Sequence, residues 1–124
     1  MSPYQEGLQW ITSRPGTGSA RGIAKLILSL WNEDCSFSFR ECVSELDSNL
    51  SGLAQRMTAQ FLSAGEDQDL AEVGHKVVEL YPRLWEVSLA MTHARREKQQ
   101  ELRLADEEES NRLYKGKTQG KSYD

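Results

Sequence analysis

Residues 15–32, Pro-Gly-Thr-Gly-Ser-Ala-Arg-Gly-Ile-Ala-Lys-Leu-Ile-Leu-Ser-Leu-Trp-Asn, constrain the fold more than any other stretch. Pro15 and Gly16 interrupt the chain, and Thr17 or Ser19 is placed to accept an unpaired amide as N-cap of a helix over about 19–32. Around that helix Ala20, Ile23, Ala24, Leu26, Ile27, Leu28, Leu30 and Trp31 sweep well over half of the circumference. Only Arg21, Gly22, Lys25 and Ser29 are left on the polar side. A helix on a protein surface carries a narrower apolar stripe, so the remaining elements are expected to pack around this one.

The rest of the chain reads as further helices, with no convincing strand. Ser2 followed by Pro3 is a cap and first-turn pair, with Gln5 in the reciprocal position. It opens a short helix over about 3–13, with Tyr4, Leu8 and Ile11 on one face and Gly7 weakening it. Ser38 and Glu41 form a capping box, across which Phe37 can staple onto Cys42. The helix so opened, 39–46, is expected to bury Phe39, Cys42, Val43 and Leu46. The alternation Phe37-Ser38-Phe39 is too short to read as a strand. Asp47 or Ser48 caps a helix over 49–64 with a stripe of Leu50, Leu53, Ala54, Met57, Phe61 and Ala64, ended by Gly65. Asp67 or Asp69 starts another, reaching Tyr81, with Leu70, Val73, Val77, Leu80 and Tyr81 inward. Pro82 then breaks or kinks the chain.

In the last helix Leu84, Val87, Met91 and Ala94 share a face, while Trp85 and Leu89 lie about a quarter-turn away. Beyond His93 strong helix formers continue with almost no apolar face, and Lys98 and Glu109 interrupt any heptad. The expectation is an all-α fold: a compact bundle of five or six helices over 1–94, with the 19–32 helix buried at its centre. An extended charged helix follows over 95–113, then a flexible tail over 114–124. A chain of 124 residues can bury such a core without disulfide or metal staples.

Charge is unevenly spread. Residues 1–32 carry +2, 33–81 carry −7, 82–105 carry +2 and 106–124 carry −1, within a net −4. Phosphates would repel the acidic middle, which argues against that region lying on nucleic acid. Glu66, Asp67, Asp69 and Glu72 form an acidic group suited to a basic protein partner. No segment has the length of a membrane span, and the N-terminus lacks a signal peptide's basic-then-apolar pattern, so a cytoplasmic protein is expected. Cys35 and Cys42 do not have the spacing of a redox or zinc pair and read as reduced structural thiols.

Several motifs invite chemistry and stop short of it. Gly16-Thr-Gly18-Ser-Ala-Arg-Gly22 offers amides at a helix start near Arg14 and Arg21, which suits an anion. A phosphate-binding loop is not expected, because no strand precedes it and Ile23 stands where the lysine should. Glu72-Val-Gly-His75 is half of a di-iron helical motif, without a second copy, so no metal site is expected. No base activates either thiol locally, and no catalytic residues or cofactor are assigned. Trp85 and Leu89, off the main stripe, mark a second contact surface for another helix of the chain or for a partner. Arg95, Arg96 and Lys98, with Arg14, Arg21 and Lys25, are the candidate contacts for an anion or nucleic acid.

The run Thr17-Gly18-Ser19-x-Arg21-x-Ile23-Ala24-x-x-x-Leu28-x-Leu30-Trp31-Asn32 resembles the core of a small uncharacterised proteobacterial family of plasmids, integrative elements and prophages. Phe37 or Phe39, Leu46-Asp47, Met57 and Pro82-x-Leu84 fall roughly where that family places similar residues, so the similarity covers about 8–85. The resemblance implies an all-helical fold and a mobile-element context, and it lends no catalytic residues. The function expected is therefore a non-catalytic protein–protein interaction module, an accessory protein that modulates or inhibits a host factor. A homodimer is compatible with it. The alternatives are a nucleic-acid-associated regulator using the basic residues and a small enzyme or metal protein built around Glu72 and His75.

Overall fold

Helix starts follow the cap chemistry. The computed structural model describes residues 1–121. Ser2 caps α1 (Pro3–Ser13), Thr17 caps α2 (Gly18–Trp31) and Ser38 caps α3 (Phe39–Val43). Asp47 caps α4 (Ser48–Ala64) and Asp67 caps α5 (Gln68–Leu80). In each case the side chain accepts the amide three residues on, which satisfies a donor the helix itself leaves unpaired. A sixth helix, α6, runs Pro82–Lys121, and no strand forms among the described residues. The capping box at Ser38 and Glu41 is complete in both directions. Gln5 does not close the one expected at Ser2. Its amide donates to Asp69 at 2.7 Å, because α5 brings a carboxylate within reach.

The chain divides into two units, Met1–Thr92 and a second beginning at His93. In the first, α2 packs against α1, α3, α4 and α5. Ala20, Ile23, Ala24, Ile27 and Leu28 are wholly buried there, alongside Tyr4, Ile11, Leu50, Met57, Leu70, Val73 and Val77 from the surrounding helices. Gly22, expected on the polar side, is buried too. A Cβ at that position would lie 2.7 Å from the Cys42 carbonyl oxygen and 3.2 Å from Leu46 Cδ2, so its absence lets α3 lie against α2. Gly74 of α5 does the same for Trp31, whose indole Cγ would come within 2.6 Å of a Cβ. A wide apolar arc and two missing side chains thus let five helices share one core.

Some expected core positions lie outside it. Phe39 is 74% exposed, because α3 turns Cys42 to the core while Phe39 and Val43 face a cleft. Ala64 and Leu80 are exposed at the ends of their helices, beyond the reach of the core. On α6 the packed residues are Leu84, Trp85, Ser88 and Thr92, leaving Val87 and Ala94 exposed. Hydrogen bonds set that rotation. Thr92 donates to the Asp34 carbonyl at 2.6 Å, and Ser88 donates to the Trp85 carbonyl at 2.8 Å with its Oγ 3.4 Å from Cys35 Sγ. Apolar periodicity alone does not register two buried hydroxyls.

In the second unit the side chains from His93 to Tyr114 are exposed. Backbone helix continues to Lys121, so the tail expected from Tyr114 is helical over that span. Gly116 and Gly120 each cost a helix about 1 kcal/mol, but no proline removes an amide there. The last part of that expectation, residues 122–124, lies outside the described residues.

Candidate functional site

Between α3 and α4 the first unit leaves an open cleft of about 450 Å³. Leu26 of α2 contributes to its lining, with Phe39 and Val43 from α3. On α4 the lining residues are Ser51, Ala54, Gln55, Thr58, Ala59 and Leu62, a stripe at helical spacing that flanks the core stripe of Leu50, Leu53 and Met57 and shares buried Ala54 with the core. Ser51, Ala54, Thr58 and Ala59 give the α4 side short side chains beside the longer Gln55 and Leu62. Thr58 donates its hydroxyl back to the Ala54 carbonyl at 2.9 Å, which satisfies its polar atom within α4. Two large apolar residues from opposite sides stand out: Phe39 at 74% exposure and Leu62 at 80%.

No titratable side chain lines this cleft. It offers apolar contact area and no titratable group, so the chemistry it can supply is contact with apolar groups. The sequence reading missed it by placing Phe39 in the core. The signal available was Leu62, a large apolar residue one position off the stripe of its own helix.

The acidic residues singled out from the sequence are partly engaged within the fold. Asp67 accepts the Leu70 amide at 2.7 Å and the Gln60 side chain at 3.3 Å. Asp69 accepts from the Ser2 hydroxyl and from Gln5, tying α5 to α1. Both carboxylates bear on buried Tyr4, whose phenol is pushed above its usual range, first by burial and then by these two charges. Glu72 accepts from Gln68 at 3.2 Å. Glu66 is exposed in a separate hollow lined also by Trp31, Glu33 and Phe61. Trp85 is half-buried with its ring 6.0 Å from that of Trp31, so its contact is with another helix of the same chain, while Leu89 stays 39% exposed.

The basic candidates are dispersed. Arg14 lies 4.9 Å over the Trp10 ring and Lys25 5.6 Å over the Phe37 ring, both in cation–π geometry. Arg21 donates to the Gly16 carbonyl at 3.2 Å. At the start of α2, the candidate anion site, the Glu45 carboxylate lies against Gly18, its Cδ 2.7 Å from where a Cβ would stand. Ser19 fixes that segment by donating to the Glu45 carbonyl at 2.8 Å. A carboxylate of the chain itself thus lies beside this helix start, where its charge disfavours an approaching anion. Arg95, Arg96 and Lys98 belong to the second unit, where Lys98 pairs with Glu101 at 3.2 Å.

Cys35 and Cys42 are buried free thiols, both held above the usual range chiefly by burial. The His75 ring sits 4.7 Å from that of Trp31 in an edge-on arrangement. Among the described residues no three His, Cys, Asp or Glu side chains gather as a metal site would require, and no helix is long and apolar enough to cross a membrane. No family model, curated protein or solved structure matches this chain.

Proposed function

We propose that this chain is a non-catalytic protein–protein interaction module whose partner seats an apolar helical face in the cleft between α3 and α4. The observation that carries the reading is the exposure of Phe39 and Leu62 on either side of an apolar cleft without titratable lining. Small α4 side chains admit a helix closely, and large apolar residues on both sides give it contacts, as in helix-in-groove recognition. The two thiols support the non-catalytic part of the reading, since burial holds both protonated. The resemblance over Thr17–Asn32 supports a mobile-element accessory protein acting on a host factor in the cytoplasm.

The test is tagged capture from a lysate, with and without nuclease, comparing the native chain with the double variant F39D/L62K. Both positions are exposed, so the helical circular dichroism should be unchanged. The reading expects a stoichiometric, nuclease-resistant protein whose recovery falls at least about tenfold in the variant, the scale of losing one well-packed anchor. Equal recovery by both proteins would remove the cleft from the reading. Recovery abolished by nuclease would transfer the function to nucleic-acid binding through the basic residues.

A further inference from the structure

The second unit presents a pattern the bundle does not explain. Arg95, Lys98, Leu102, Asp106 and Glu109 fall on one side of α6, all within about 40° of Leu102 at the helical repeat. The pattern is ordered about its centre. Arg95 and Glu109 lie seven residues before and after Leu102, and Lys98 and Asp106 lie four before and after. Every basic residue of the set precedes Leu102 and every acidic one follows it. Gln99 and Ala105 occupy the intermediate positions without charge. Leu102 is 52% exposed, and the side chains on either side of it are exposed as well.

A helix whose two halves carry opposite charge about a central leucine is complementary to itself when reversed. We infer that this face pairs antiparallel with the same face of a second copy of the chain. The two-fold axis passes at Leu102, so Leu102 meets Leu102, Arg95 meets Glu109 and Lys98 meets Asp106, each ion pair occurring twice. The contact is isologous and closed, so it makes a dimer and not a filament. Parallel pairing sets Arg95 on Arg95 and Glu109 on Glu109, and like charges reject it. A shift of one helical turn along the partner loses the leucine contact and mismatches the charges, so the same residues also fix the register. Lys98 pairs within its own chain with Glu101, three residues on, an exposed and weak contact that it can exchange.

Exposed ion pairs around one leucine contact make a weak dimer that salt loosens. Sedimentation velocity over a concentration series, at about 20 mM and about 0.5 M NaCl, should show self-association that weakens severalfold at the higher salt. The all-acidic variant R95E/K98E and the all-basic variant D106K/E109R should each lose self-association by at least about tenfold. Their equimolar mixture should recover it as a heterodimer, and R95E/K98E/D106K/E109R, with the charges exchanged, should recover it alone. For orientation, R95C and E109C proteins mixed and oxidised should join to each other, the native thiols being buried and silent. A native chain monomeric at every concentration in low salt would overturn the proposal. So would self-association indifferent to these substitutions, or R95C joining to R95C in preference to E109C.

Discussion

Two glycine-to-alanine substitutions should differ in their effect on stability, one stabilising and the other not, although both lie inside helices of the same unit. In an exposed helix interior alanine is favoured over glycine by about 0.8–1.0 kcal/mol, because glycine loses more backbone freedom on folding. At Gly52 of α4 a Cβ would meet nothing within 4 Å, so the whole gain should appear, about 1 kcal/mol of added stability. At Gly22 of α2 the same methyl would stand 2.7 Å from the Cys42 carbonyl oxygen, closer than real Cβ contacts come. That oxygen is backbone, and the short α3 carrying it is fixed at its start by the Ser38 and Glu41 capping box. Relief requires α3 to move off α2. Overpacking of this kind costs about 1–3 kcal/mol, which offsets the propensity gain and leaves Gly22→Ala between about neutral and 2 kcal/mol destabilised. The two variants should therefore differ by about 1–3 kcal/mol in urea unfolding followed by circular dichroism, with an unchanged denaturant slope. A Gly22→Ala protein stabilised as much as Gly52→Ala would refute the close approach of α3 to α2.

Alkaline pH should unfold the native chain more readily than Tyr4→Phe relative to their stabilities at neutral pH. Burial and the charges of Asp67 and Asp69 raise the Tyr4 phenol above its usual 10.0, so its contribution is full below pH 10 and is lost as pH rises from there through the folded value. Urea midpoints measured from pH 8 to 11 should fall more steeply in the native chain, and parallel curves would count against the assigned environment. Both thiols should resist a soluble disulfide reagent while the protein is folded and react together on unfolding, because each is buried and held protonated. Fast labelling of either thiol under native conditions would contradict that.

The local signals in the sequence were strong where a single residue decides the outcome. Thr17, Asp47 and Asp67 cap their helices by reaching an amide three residues on, a contact determined by near neighbours. The apolar arc of α2 was equally legible, since eight apolar positions in one helix leave few alternatives to burial. What escaped was decided at a distance. Gly22 and Gly74 have no side chain to announce that Cys42 and Trp31 press against them. The rotation of α6 depends on where the Asp34 carbonyl and the Cys35 thiol come to lie, which no pattern within α6 encodes. The cleft was missed for a related reason. Phe39 has the spacing of a core residue in a five-residue helix, but Cys42 takes the inward position and leaves Phe39 beside Val43 on the cleft side.

The two parts of α6 are stabilised by different means, and the difference bears on function. Up to Thr92 the helix is held by packing of Leu84 and Trp85 and by the hydroxyls of Ser88 and Thr92. From His93 on it depends on propensity and on short-range pairs such as His93 with Glu97 and Lys98 with Glu101, each at 3.2 Å. Pairs of that kind contribute only about 0.2–0.5 kcal/mol apiece to a helix. On the face of Arg95, Lys98, Leu102, Asp106 and Glu109, Leu102 lies where the charge changes sign. On this face both basic members precede the leucine and both acidic members follow it, at matched distances. An antiparallel partner requires that order, and the charge-exchange variants reverse it while keeping length, composition class and helical propensity nearly constant. If exchange of all four charges restores what either half-exchange removes, the arrangement of charge along the helix, and not its amount, is what the second copy recognises.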